Sequence, residues 1–219
     1  MVITIGAMIG AGKTSLAELL GKHFNTEVFY ESVEDNPILP LFYTASEEEI
    51  QENRYPFLLQ LWFLNSRFKS IKKALVHKNN ILDRSIYEDW YFAKVNNDLG
   101  RISDLEFGIY EDLLNNMMQE LEELPKKAPD LMIYLKGSFE TIVDRIQKRG
   151  RGYELDESLI SYYKKLWEGY DDWVYNNYDA SCVLTINIDE FDYVNNEHDK
   201  NIILKMVDEK LKDIRKEKM

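Results

Sequence analysis

The chain has 219 residues, 45% of them apolar, and sets 27 lysines and arginines against 39 acids for a formal charge of −12 at pH 7. That length suits one domain with a small lid, and the acidic balance disfavours a nucleic-acid partner while leaving room for a nucleotide held by a few local cations. No apolar run is long enough to span a membrane, the N-terminus enters β-structure at once without a signal-peptide pattern, and a lone Cys182 cannot form an internal disulfide, so a cytoplasmic protein is expected.

The first element is an apolar β-like run, Ile3 to Ile5, leading into a glycine-spaced turn and then Lys13, Thr14 and Ser15 at the start of a helix expected over 13–24. Strand, glycine turn and helix in that order are what a phosphate-binding loop requires. Gly10 and Gly12 let the backbone of Gly10, Ala11 and Gly12 turn its N–H groups toward an anion. Lys13 would neutralise the β- and γ-phosphates, and Thr14 would hold Mg²⁺. One position departs from G-x-x-x-x-G-K-[ST]: Ala7 stands where the first glycine belongs, which is tolerable if its φ is negative.

A short second strand is expected over 27–31, ending at Glu31, where the carboxyl ends of parallel strands gather ligands. Glu34 and Asp35 read as solvated loop acids. A helical piece over 38–43 is expected to be broken by Pro40, and Ser46 with Glu49 makes a capping box. A long helix over 55–77 carries Gln60 and Arg67 seven apart, two turns along one face. The third strand ends in Asp83, Arg84 and Ser85 and enters an aromatic helix containing Asp89.

A helix over 103–124 has a wide apolar stripe, read as core and possible subunit contact, and 130–135 is a buried parallel strand. Ser138 caps a helix over 139–147 that runs into Arg145, Arg149 and Arg151, a basic cluster in an acidic chain and a candidate lid (about 145–154) over ATP phosphates. An aromatic helix over 155–177, a fifth strand over 181–188 with Cys182 as a small core residue, and an amphipathic helix over 200–214 followed by a fraying basic tail complete the chain. His23, His77 and His198 have no metal-ligand spacing.

The alternation of strands and helices fits a three-layer α/β P-loop fold with a five-stranded parallel sheet. Glu31 is placed to act as base on an acceptor hydroxyl, with Arg84 near it and the lid arginines able to clamp the transferring group, so phosphoryl transfer is the expected chemistry. The Asp-x-x-Gly and Asn-Lys-x-Asp motifs of a GTPase are absent.

Gly10 to Thr14, Glu31 with Glu34, Gln60 with Arg67, Asp83 to Ser85 with Asp89, and Arg145 through Glu154 together resemble the deoxyribonucleoside kinase family, most closely the bacterial deoxyadenosine and deoxyguanosine kinases. The resemblance spans nearly the whole chain. It implies that Glu31 is the general base on the 5′-hydroxyl and that Arg84 holds that region. It further implies that Asp83 lies near Mg²⁺, directly or through water, and that Gln60 reads the nucleobase edge. Arg67 and Asp89 would form a charged pair over the base, Tyr43 and Glu154 would hold the sugar 3′-hydroxyl, and Arg145, Arg149 and Arg151 would form the lid. ATP as donor, deoxyadenosine, deoxyguanosine or deoxycytidine as acceptor, a role in nucleotide salvage and a homodimer are implied with it. The alternatives are a nucleoside-monophosphate kinase of the thymidylate-kinase type, a catalytically silent nucleotide-binding relative, and a hydrolytic NTPase.

Overall fold

The computed structural model describes residues 1–31, 33, 35–74, 79–122 and 128–217. Strands β1 (Val2–Ala7), β2 (Glu27–Phe29), β3 (Asn80–Leu82), β4 (Leu131–Lys136) and β5 (Cys182–Asn187) form one parallel sheet in the order β2-β3-β1-β4-β5. Helices α1 (Lys13–Phe24), α2 (Leu39–Thr44), α3 (Glu47–Asn53), α4 (Tyr55–Ala74), α5 (Ile86–Asp98), α6 (Asp104–Glu122), α7 (Phe139–Arg149), α8 (Ile160–Asp172) and α9 (Glu197–Glu217) flank it. No described helix is long and apolar enough to cross a membrane.

The buried strands read as continuous apolar runs because both faces are covered. Ile3, Ile5, Leu131, Met132, Ile133 and Ile186 pack with Leu16, Leu20, Leu166 and Ile203 from helices. A second cluster, built from Leu64, Phe68 and Ile71 of α4, Ile86 and Ala93 of α5, and Phe107, Tyr110 and Leu114 of α6, fixes these three helices against one another. It sets α4 beside α5, which brings Arg67 opposite Asp89.

The registers Phe29↔Leu82 and Thr4↔Leu82 align the carboxyl ends of β2, β3 and β1. Asp83 N–H continues the pairing by donating to Phe29 O at 2.9 Å. The chain then diverges into two loops, one carrying Glu31 and the other Asp83 and Arg84, next to the turn after β1. The sheet reverses its order about β1, so this is the crevice where ligands of open α/β sheets lie.

Several expected boundaries shift for physical reasons. β2 stops at Phe29, because an edge strand is paired on one side only, and Tyr30 is exposed. Pro40 does not break α2 but sits in its first turn, where its missing N–H has no intrahelical partner to lose. The expected aromatic helix over 155–177 divides into 3₁₀ turns (Gly152–Glu154 and Glu157–Leu159), α8 and a π-helical turn, Trp173–Asn177. Cys182 is exposed rather than in the core, since it opens the other edge strand. The tail expected to fray continues α9 to Glu217. The expected ends of α4 at His77 and of α6 at Leu124, and Glu34, lie outside the described residues. The capping box at α3 is present, Ser46 accepting from Glu49 N–H while Glu49 accepts from Ser46 N–H.

Candidate active site

A cavity of about 1140 Å³ opens at the carboxyl ends of β1, β2 and β3 and is closed on the far side by α7 and the loop after β5. One end is the phosphate-loop region. Gly10 (φ +82°) and Gly12 (φ +98°) take conformations that side chains rarely adopt, whereas Ala7 is the last residue of β1 and is not among the positive-φ residues. The glycine pattern is therefore kept where the backbone needs it and dropped where it does not. Lys13 Nζ donates to Ala7 O at 3.0 Å and Met8 O at 3.1 Å. Burial first, and then Arg84, lower its pKa to about 8 against the pull of Glu88, Glu31 and Asp83. Thr14 Oγ1 donates to Asp83 Oδ2 at 2.6 Å, and Asp83 Oδ1 is buried with no hydrogen-bond partner among the described residues. Gly10, Gly12, Thr14 and Ser15 line the cavity. Ala11 N–H donates to Met8 O within the loop.

The other end is a buried charge network between α4, α5 and the two strand loops. Arg67 donates to Asp89 through two parallel bonds, Nε to Oδ2 at 2.8 Å and Nη2 to Oδ1 at 3.0 Å, and Nη2 also reaches Glu31 Oε1 at 3.0 Å. Arg84 Nε lies 2.9 Å from the same Glu31 oxygen, and its Nη1 lies 3.0 Å from Glu88 Oε1. Neither N–H is aligned on the oxygen it touches. Glu88 Oε1 in turn accepts the N–H of Ala7 at 3.0 Å. Burial alone would raise the Glu31 carboxyl, but Arg84, then Arg67 and Lys13, bring it down to about 2, so it is ionised at neutral pH. Arg84 has φ +105°, an unfavourable backbone for a residue with a side chain, and its guanidinium stacks 4.6 Å over the Phe92 ring. Gln60 is buried in the cavity wall next to Leu59 and Phe63.

Such a site juxtaposes an anion-binding loop with an ionised carboxylate flanked by two arginines, which suits transfer of a phosphoryl group to a hydroxyl. Residues 3–212 match the deoxynucleoside kinase family. The chain belongs to that family. The kinase is 47% identical to a deoxyguanosine kinase of Lactobacillus acidophilus, the match covering 98% of this chain and 92% of the relative. It is 45% identical to a deoxyadenosine kinase of the same species, with 97% of each chain covered. Among solved structures, a deoxyadenosine kinase from M. mycoides with bound dATP superposes with a TM-score of 0.79 at 30% identity, over 95% of this chain and all of that one. The kinase is thus a transferase that phosphorylates a nucleoside.

The lid candidates divide into two kinds. Arg145 of α7 is pinned to backbone, Nη1 to Ala11 O at 2.9 Å and Nη2 to Ile188 O at 3.1 Å. Arg149 and Arg151 both turn to Glu154, which is buried; Arg149 is hydrogen-bonded to it and Arg151 lies 3.6 Å away. Gly150 in the left-handed conformation ends α7 between them. Tyr43 stacks on Tyr153, with 5.6 Å between ring centroids, and shares the cavity wall with Glu154.

Two residues in this network were not anticipated. Tyr193, after β5, donates to the carbonyls of Gly12 (3.0 Å) and Ala11 (3.3 Å) from the back of the phosphate loop. Nothing local in sequence marks a contact between residues so far apart. Glu88 did carry a signal, since it lies four residues after Arg84 at the start of a helix.

Proposed function

We propose that this kinase transfers the γ-phosphoryl group of ATP to the 5′-hydroxyl of a purine deoxynucleoside. The observation that carries the reading is Glu31, an ionised carboxylate gripped by Arg67 and Arg84 in the same cavity as Lys13 and Thr14. Glu31 takes the proton of the attacking hydroxyl. Arg84, already touching that carboxylate, steadies the charge that develops beside it. Gln60 offers both a donor and an acceptor to a base edge, and the Arg67–Asp89 pair offers charge-assisted bonds to a ring nitrogen or carbonyl. Tyr43 and Glu154 hold the sugar 3′-hydroxyl. Arg149 and Arg151, drawn to Glu154 here, clamp phosphate oxygens, and Arg145 keeps the loop in shape.

Mg²⁺ fits the residues present. Asp83 has one carboxylate oxygen with no hydrogen-bond partner among the described residues and the other on the Thr14 hydroxyl, beside a loop built for phosphates. That donor set suits an ion held by one or two protein oxygens, phosphates and water. Thr14 and Asp83 would hold it, and its charge would neutralise the β- and γ-phosphates.

The relatives at 45% and 47% identity support deoxyadenosine and deoxyguanosine as acceptors. A nucleoside-monophosphate acceptor is disfavoured because Arg67 and Arg84 are already committed to Asp89, Glu31 and Glu88, leaving, among the described residues, no free cation there for an acceptor phosphate. A homodimer belongs to this reading, supported by the exposed apolar side chains Leu105 and Ile109 on α6.

The test is phosphoryl transfer from labelled ATP with Mg²⁺ to each of the four deoxynucleosides and to their monophosphates, for wild type and Glu31→Gln. Product with deoxyadenosine or deoxyguanosine is expected, with a loss in kcat of about 10²- to 10⁴-fold in the variant, the usual cost of removing a general base. Transfer to monophosphates alone would sink the reading.

A further inference from the structure

Glu88 has no part in the chemistry just described, yet it is buried more completely than any of the groups that do. Its side chain is fully inaccessible to solvent. A carboxylate in such a place is costly unless charges and donors surround it, and a neutral side chain would join α5 to β1 at far lower cost. Burial raises its pKa, while the Arg84 guanidinium 3.0 Å away, and then Lys13, favour the charged form.

One oxygen, Oε1, makes both of its contacts. It accepts the N–H of Ala7, where β1 turns into the phosphate loop, and it lies 3.0 Å from Arg84 Nη1. Oε2 is buried without a hydrogen bond among the described residues. Arg84 is consequently drawn from two sides, by Glu31 at Nε and by Glu88 at Nη1, and sits squarely on neither. With Glu31 as its only acid, an arginine settles into parallel, aligned bonds to one carboxylate, as Arg67 does with Asp89. That arrangement would bury the base under the guanidinium. Glu88 prevents it, and because the same oxygen holds Ala7, Arg84 is referenced to the loop that carries the donor phosphates.

We infer that Glu88 is a positioning residue, which through Arg84 keeps the base Glu31 available and holds the acceptor side of the site in register with the phosphate loop. The inference rests on the proposed roles of Glu31 and Arg84. Glu88 touches neither reactant, so its removal lowers turnover more than binding.

The test uses the full chain as wild type, Glu88→Gln and Glu88→Asp, with melting temperature, kcat, and KM for both ATP and deoxynucleoside measured for each. Glu88→Gln keeps an acceptor for Ala7 N–H but surrenders the charge that holds Arg84. Glu88→Asp keeps the charge and withdraws it by one methylene. Both are expected to fold, with ATP KM within about twofold of wild type and kcat down by at least about tenfold, the pattern of an interaction realised in the transition state. A purely structural residue would lower melting temperature and leave the kcat of the folded fraction intact. Wild-type kcat in a folded Glu88→Gln chain would overturn the inference alone. Failure of both variants to fold would overturn it as well, by making Glu88 a support of the fold. Absence of transfer by the wild-type chain would instead remove the reading on which it stands.

Discussion

The Arg67–Asp89 pair is the most exposed to refutation, because its contributions to stability and to recognition should separate. Both side chains are nearly buried, at 7% and 4% exposure, and their two bonds are short and parallel. Removing one partner of such a pair costs about 3–5 kcal/mol, because the other charge stays buried. In Asp89→Ala, Arg67 keeps its bond to Glu31, and Asp89 lines the cavity, where water can enter, so the lower end applies. About 3 kcal/mol in a chain of this length corresponds to a fall in melting temperature of roughly 6–12 °C. An apolar pair of similar volume, Arg67→Met with Asp89→Leu, removes both charges but also takes Arg67 from Glu31, leaving that carboxylate to Arg84, so it should recover part of that loss, since desolvation of an ion pair offsets much of its attraction. The double variant should nonetheless fail to bind deoxyadenosine. Thermal unfolding followed by circular dichroism and isothermal titration with deoxyadenosine read the two quantities. A shift of less than about 2 °C in Asp89→Ala would mean that the pair is solvated and the reasoning wrong. A double variant as unstable as the single one would place the stability in the charges themselves.

Glu31 also sets a pH dependence. Its folded pKa, about 2, lies below the ordinary 4.5, so its ion pairs stabilise the fold fully above pH 4.5 and lose that effect as pH falls toward 2. Melting curves of wild type and Glu31→Gln should therefore differ by a constant amount from pH 8 to 5 and converge below 4.5. In the phosphate loop, Ala7→Gly should leave ATP KM unchanged and cost about 0.5–1 kcal/mol of stability, because the strand residue gains only unfolded-state freedom. Gly12→Ala should raise ATP KM by about five- to thirtyfold, left-handed strain being worth ~1–2 kcal/mol. Its Cβ would also strike the Tyr193 hydroxyl and come within 3.4 Å of Arg145.

What was legible in the sequence was local or periodic. The bounds of α1 follow from a glycine turn and an apolar stripe, and the capping box of α3 from two side chains three apart. Gln60, Arg67 and Asp89 could be grouped because helical spacing and a family resemblance agreed. Long-range competition for partners was not legible. Whether Arg145 reaches for a ligand or for the Ala11 carbonyl depends on how α7 lies across β1, and the sequence gives no distance for that. Strand ends failed similarly: Tyr30 and Cys182 are apolar or small enough for a strand core, but the order of strands puts both at the edges, where burial is incomplete.

The pairing of Arg67, Arg84, Arg149 and Arg151 with the protein's own acids bears on how a nucleotide arrives. These internal counter-ions cancel the positive field that an array of arginines would otherwise project, and the chain as a whole carries −12. On the proposed reading ATP would approach as one anion toward another, and the long-range field would slow encounter rather than steer it. Salt, by shortening the reach of that field to about 8 Å at physiological strength, should speed association. On the proposed reading, attraction would begin only once the nucleotide is inside the crevice, where phosphate oxygens would replace the Glu154 carboxylate on Arg149 and Arg151. Selectivity for a nucleotide would then lie in that exchange of partners within the site, not in long-range attraction.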